Sequence, residues 1–221
     1  MLPMMETQLS SLQIVVLAAG FSTRLGRSKS LATIRGISLI RRALTTLSEI
    51  TRQNILVVTA PRPTRVRAEL RGFRVSILAN PRRAAGLSSS VTLALRKGRW
   101  SSATLFLPVD CPDLNALDLG RLISRWRASK RRVAARRTSN GAATPLILPK
   151  FLYREAARQT GDVGLRDFVA GLRAEQRTLL DVPSAKHDVD TRHDLAIARR
   201  RALRQKSRCY HRAGLQCFPR P

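Results

Sequence analysis

At 221 residues and 43% hydrophobic, the chain can bury the core of one α/β domain, which excludes a disordered chain. Lys and Arg number 41 against 14 Asp and Glu, a formal net charge of +27, while aromatic residues make up only 5%. The basic residues are mostly Arg and spread over the whole chain, no nucleic-acid motif accompanies them, and stacking platforms are scarce, so the excess reads as solvated charged faces and not as a nucleic-acid site.

The opening MLPMMETQLSSL lacks a basic start followed by an apolar run, so no secretory leader is expected. A first buried strand is predicted over 14–17, and the apolar run 14–19 around it is far too short to span a bilayer. The strand feeds a loop of concentrated phosphate chemistry. Ala18, Ala19 and Gly20 let the backbone approach a ligand closely, and Ser22, Arg24, Gly26, Arg27, Ser28 and Lys29 follow. Bare N–H groups to cradle oxygens and fixed cations to offset charge are what a triphosphate needs. Two familiar phosphate loops do not fit. Five residues separate Gly20 from Gly26 and Lys29 does not directly follow the glycine, so this is no Walker loop, and no GxGxxG fingerprint is present.

Onward along the chain, a helix is predicted over 39–50, a strand over 55–59, a helix over 64–71 and a strand over 75–79. Gly86-Leu87-Ser88-Ser89-Ser90 opens a helix predicted over 88–96, with Ser88 as its expected cap. A strand over 104–107 leads to Asp110 and Cys111, the latter read as a small packing residue, and Asp113 suits a turn. A helix over 116–129, strands over 133–135 and 145–148, a helix over 150–158, the turn Gly161-Asp162-Val163-Gly164, a helix over 165–173 and a strand over 178–182 come next. Asp188 and Asp190 precede a last helix over 192–203, for which Asp194 suits the start. From 204 to 221 the chain reads as a basic, flexible tail, distinct from a domain spanning 12–203. Cys209, His211 and Cys217 in that tail fit no zinc spacing, and the three cysteines make neither a CxxC pair nor a disulfide framework, so a cytoplasmic address is expected.

Strands alternating with helices predict crossover connections and a three-layer, mostly parallel Rossmann-like α/β sheet covered on both faces. In such sheets ligands sit outside the carboxyl ends of the strands, here just after Leu17, Leu107 and Val182. Asp110 and Asp190, far apart in sequence, both follow strands at that edge. They are placed to meet over the phosphates and hold Mg²⁺, whose preference is for oxygen ligands. Arg24 and Lys29 are the cations expected to stabilise the triphosphate and the charge that develops on a leaving pyrophosphate.

Five segments in order carry a family resemblance. LAAGFSTRLGRSKSLA resembles LAAGxSxRxGxxKxLL of the MobA-like NTP-transferase family, which includes molybdenum-cofactor cytidylyltransferases and guanylyltransferases. NPRRAAGLSSSVTLAL resembles the family's NPxxxxGxxSSLxxGL, LPVDCPDL its LxDxPxL, GDVGLRDFV its GDxGxRxLL, and DVDTRHDL its DIDTPEDL. Thr144-Pro145 departs from the family's His-Pro, and Leu25 stands where Met is usual. The resemblance implies a fold of the nucleotide-diphospho-sugar transferase type and transfer of a nucleotide from an NTP to molybdopterin, releasing pyrophosphate. It further implies Arg24, Lys29 and Asp110 as catalytic residues, with Mg²⁺ on Asp110 and Asp190. Nucleotide contacts would come from Leu17, Ala18, Ala19, Gly20, Ser22, Gly86 and Ser90, and a recipient molybdoenzyme would be a partner. LAAG in place of LAGG, together with GLSSSV, is similar to the cytidylyltransferase branch, so CTP is the expected donor. The alternatives are guanylyl transfer, a sugar-phosphate acceptor, and a non-catalytic basic binding module on the same fold.

Overall fold

The computed structural model describes residues 11–20, 23–26, 28–98, 100–161 and 164–212, without the side chains of Thr23 and 205–212. Largely apolar runs mark strands whose two faces are both covered, and the central strands of the main sheet are built from such runs. Its strands are β1 (Leu12–Ala18), β4 (Ile55–Thr59), β5 (Val75–Ala79), β6 (Ala103–Pro108), β7 (Val133–Thr138), β8 (Gly141–Pro149) and β9 (Arg177–Leu180). Their spatial order is β5-β4-β1-β6-β8-β7-β9. β8 runs antiparallel to both of its neighbours, and every other pairing in the sheet is parallel.

The helices are α1 (Leu39–Ser48), α2 (Thr64–Glu69), α3 (Leu87–Lys97), α4 (Ala116–Ala128), α5 (Tyr153–Ala156), α6 (Leu165–Ala170) and α7 (Arg192–Arg212). Side chains alternate across each strand and so divide between two cores. Ile14, Val16, Val57, Leu105 and Leu107 pack with Leu44 of α1, Val66 of α2 and Trp126 of α4. Val15, Leu56, Val58, Phe106 and Leu146 pack on the other face with Ala94 of α3, Ala156 of α5 and Val169 of α6. The three-layer, mostly parallel architecture expected from the sequence is the one observed.

A third, smaller core bears directly on function. Leu25, Ala32, Ile34 and Leu39 from the region after β1 pack against Val189, Leu195, Ala198 and Ala202 at the start of α7. This packing joins the first loop to the last helix, two segments at opposite ends of the chain.

Several boundaries differ from expectation, each for a local reason. β2 (Thr33–Ile34) and β3 (Ile37–Ser38) form a hairpin that sequence periodicity misses, because two residues per strand show no period. Its two-residue turn has Arg35 at φ 53° and Gly36 at φ 76°, the left-handed pair that tight hairpins use. The helix predicted over 150–158 divides into a 3₁₀ turn, Lys150–Leu152, and the short α5. The last strand stops at Leu180, and a 3₁₀ turn at Pro183–Ala185 follows. α7 runs past the predicted end at 203 to Arg212, and residues 213–221, with Cys217, lie outside the described residues. Among the described residues no helix is long and apolar enough to cross a membrane.

Candidate active site

The register of β1 and β6 sets Leu17 opposite Pro108, so the chain leaves the sheet edge from both strands side by side. β1 continues into Ala19 and Gly20, and β6 into Val109 and Asp110. The two exits share one cleft of about 280 Å³, whose walls include Ala18, Gly20, Arg24, Lys29, Asp110 and Asp190. Leu17, Ala19 and Ser90, all expected at a nucleotide, line the same cleft.

Ionic geometry concentrates on Lys29. Its Nζ donates to Asp110 Oδ2 at 2.9 Å and to Asp190 Oδ1 at 2.6 Å. Arg24 adds a looser pair to Asp190 Oδ2 at 3.7 Å from a largely exposed position. Although it stands in a loop, the side chain of Lys29 is only 16% exposed. Burial alone would lower its pKa, but the attraction of Asp110 and the hydrogen bonds to Asp190 and Asp110 outweigh burial, and the net shift is upward from 10.5. For Asp110, burial dominates and raises the carboxyl above 3.8, with Lys29 offsetting part of the rise.

Backbone and capping contacts fix the two carboxylates. Val189 N donates to the Asp110 carbonyl at 2.8 Å, which brings the segment before α7 against the end of β6. Asp194 is the helix-start residue expected of it. Its Oδ2 accepts from Asp190 N at 3.1 Å, Thr191 N at 2.8 Å and Thr191 Oγ1 at 2.9 Å, and Asp194 N donates back to Thr191 Oγ1 at 3.1 Å. On the opposite flank, Ser30 Oγ donates to the Ala18 carbonyl at 3.3 Å and closes the first loop on the strand it leaves. The loop's second glycine, Gly26, holds φ +71°, and a Cβ there would lie 2.6 Å from Arg192 Nη2.

The α3 side of the cleft differs in detail from the sequence reading. Gly86, expected to face the nucleotide, does not line the cleft; it sits at the N-cap with φ 85° and turns the chain so that Leu87 lines it instead. Ser88 is no cap. Its hydroxyl donates to the Gly161 carbonyl at 2.8 Å and ties α3 to the turn that begins there. Ser90 is held by Asn80, whose Nδ2 donates to Ser90 Oγ at 2.9 Å and Ser89 Oγ at 2.8 Å while its Oδ1 accepts from Arg82 N at 2.9 Å. Ser22, Arg27, Asp162 and Val163 lie outside the described residues.

Two features escaped sequence reasoning, and Thr144, marked in the sequence only as a departure from the family's His-Pro, gains a place in the cleft. Thr144 lines the cleft because the register of β7 and β8 shifts at Ala135 and Arg136, leaving Thr144 and Pro145 without cross-strand partners on β7. Asp188 pairs with Arg136, Nη2 to Oδ2 at 3.1 Å. Cys111 is buried, as a packing residue should be, but its thiol also donates to Asp188 Oδ1 at 3.2 Å. Burial, then the nearby Asp110 and Asp188 carboxylates, push that thiol up, well above the usual range. An Arg and an Asp 52 positions apart give no periodic or motif signal, which is why only the fold reveals the pair.

The donor chemistry of the cleft fits a hard divalent ion. Among the described residues its lining offers two carboxylates, Asp110 and Asp190, both turned to one ammonium, and neither imidazole nor sulfur.

The chain is 27% identical over 187 residues to a protein described as a probable molybdenum cofactor guanylyltransferase from Rhodopirellula baltica, covering 82% of this chain and 88% of that one. Its fold is similar to the crystal structure of Rv0371c from Mycobacterium tuberculosis H37Rv, with TM-score 0.70 and 25% identity over 86% of this chain and 99% of that one. A manganese complex of Rv0371c matches with TM-score 0.67 and 24% identity over the same shares, 86% and 99%. The sequence profile of the MobA-like NTP transferase domain matches residues 14–179. With its mostly parallel sheet of the nucleotide-diphospho-sugar transferase type, the chain belongs to the MobA-like NTP transferase domain family, a family of nucleotidyltransferases.

Proposed function

We propose that the protein transfers a nucleotide from an NTP to the phosphate of a molybdopterin-type acceptor and releases pyrophosphate. The observation that carries this reading is the Lys29 ammonium held between Asp110 and Asp190 at the mouth of the cleft. The backbone from Leu17 to Gly20 lies against the nucleoside and α-phosphate, with Ser90 facing it from α3. Arg24 and Lys29 offset the triphosphate charge and the charge that builds on the leaving group. Asp110 and Asp190 hold a divalent ion, Mg²⁺ by their oxygen chemistry, and the manganese complex of Rv0371c supports a metal here. That ion, when bound, neutralises phosphate charge. The acceptor phosphate oxygen forms a bond to the α-phosphorus as the bond to the bridging oxygen of the β-phosphate breaks. A phosphate monoester is already ionised at neutral pH, so no strong base is needed, and positioning with charge stabilisation suffices.

For the base, LAAG in the first loop and GLSSSV at the start of α3 support CTP through their likeness to the cytidylyltransferase branch. A second reading, GTP, is favoured by the description of the Rhodopirellula baltica relative as a guanylyltransferase. Pyrophosphate release measured with each of the four NTPs, with and without molybdopterin, tests both levels. The account expects acceptor-dependent release, with CTP ahead of GTP by at least about tenfold in kcat/KM, or roughly 1.4 kcal/mol. GTP as the better donor would reverse the base assignment. No release with any NTP in the presence of acceptor would remove the reaction itself.

A further inference from the structure

Beside the Asp110–Asp190 pair lies a second set of ligand atoms. Asp110, Cys111 and Asp188 offer a carboxylate oxygen, a sulfur and another carboxylate oxygen, all within 4.8 Å of one another. Asp110 belongs to both sets, so the two would compete for one ion, and a sulfur donor would draw softer metals.

Arg136 stands against that competition. β7 is apolar over its first three residues and then places a guanidinium in the interior, where Arg136 is 6% exposed. Strand alternation sets it on the face of Ala134, the face on which Cys111, Val182 and Ala185 pack. Nη1 donates to Asp188 Oδ1 at 3.2 Å and Nη2 to Oδ2 at 3.1 Å, and Nη1 donates also to the Ala185 carbonyl. This fork engages both oxygens of Asp188, while the thiol of Cys111 adds a third donor at Oδ1. Asp190, by contrast, meets its cations at the cleft mouth. A buried ion pair is weak evidence for stability, and Arg136 Nε is buried with no hydrogen-bond partner.

We propose that Arg136 is a positioning residue that reserves the divalent ion for Asp110 and Asp190, by filling Asp188 and so closing the alternative set of Asp110, Cys111 and Asp188. The inference rests on the metal reading of the Asp110–Asp190 pair. It is tested by titrating the full chain with Co²⁺, following stoichiometry by equilibrium dialysis and ligation by absorption, since sulfur ligation adds a charge-transfer band that oxygen ligation lacks. The wild type should bind Co²⁺ without that band, and Asp190→Asn should weaken the binding. Arg136→Met should show the band and bind at the oxygen pair about tenfold more weakly. Adding Asp188→Asn to Arg136→Met should abolish the band, a recovery that a purely structural arginine would not produce. Wild-type binding with an unaltered Arg136→Met spectrum and affinity overturns this proposal alone. Absence of Co²⁺ binding in the wild type overturns the metal reading and the proposal with it. Arg136→Gln serves as the second variant, and failure of both to fold, by circular dichroism, assigns Arg136 to folding and overturns the proposal.

Discussion

Lys29 shows how a residue legible in the sequence acquires its energetics from the fold. Its place in a phosphate-rich loop marks it as a cation for a triphosphate, but nothing local says that two carboxylates from positions 110 and 190 close on it. Lys29→Ala should therefore do more than lower turnover. It leaves Asp110 and Asp190 facing each other without their cation, at a cost of about 1–3 kcal/mol, and a divalent ion should restore stability more in the variant than in the wild type. Thermal melts with and without Mg²⁺ check this; equal metal-induced shifts in the two proteins would contradict it. Asp110 and Asp194 are shifted in opposite senses. Burial raises Asp110 above 3.8, so the folded metal-free protein takes up a proton there, and stability is lost as pH rises from 3.8 through the raised pKa. The hydrogen bonds from Thr191 lower Asp194 below 3.8, so its contribution is present above 3.8 and is lost as pH falls through the lowered pKa. Melting temperature against pH should flatten above 3.8 in Asp110→Asn and below 3.8 in Asp194→Asn. A slope unchanged in either variant would remove that assignment.

Among the elements, the central strands could be read from the sequence as apolar runs, and α1 and α4 from an amphipathic period closed by the caps Ser38 and Asn115. What could not be read is set by tertiary contact. Ser88 looks like a cap in isolation, but Gly161 lies close enough to take its hydroxyl, and Gly86 occupies the cap position. Thr144 reaches the cleft only through the register shift of β8, which no single strand announces. Asp110 and Asp190 were legible as a pair because both follow the sheet's carboxyl edge, whereas Arg136 and Asp188 meet through a strand interior and leave no such trace. Gly26 combines φ +71° with Arg192 Nη2 2.6 Å from the site of a Cβ. The guanidinium tip can move aside, but the backbone cannot relax as easily, so Gly26→Ala should cost about 1–2 kcal/mol. On the proposal that the loop binds the donor in ground and transition states alike, it should also raise KM for the NTP more than it lowers kcat. An unchanged KM would show that this turn does not shape the donor site.

For the whole molecule, charge and reaction are separate questions. A formal +27 attracts any polyanion, and the absence of a nucleic-acid motif predicts weak, sequence-independent binding to DNA or RNA that fades steeply as salt rises. Sequence-selective binding at physiological ionic strength would instead favour the basic binding module over the enzyme. The sheet, the loop after β1 and the segment before α7 all converge on one edge, where the third core holds the two chain ends together. The claim that follows is acceptor-dependent nucleotidyl transfer, and the most direct measurement uses α-labelled NTP with a molybdopterin-type acceptor and Mg²⁺. The account predicts that the label moves to the acceptor with one equivalent of pyrophosphate released, and that Asp110→Asn and Asp190→Asn each lower the rate by about a hundredfold or more without additive effect. Label that stays on the nucleotide, or full transfer by either variant, would contradict it.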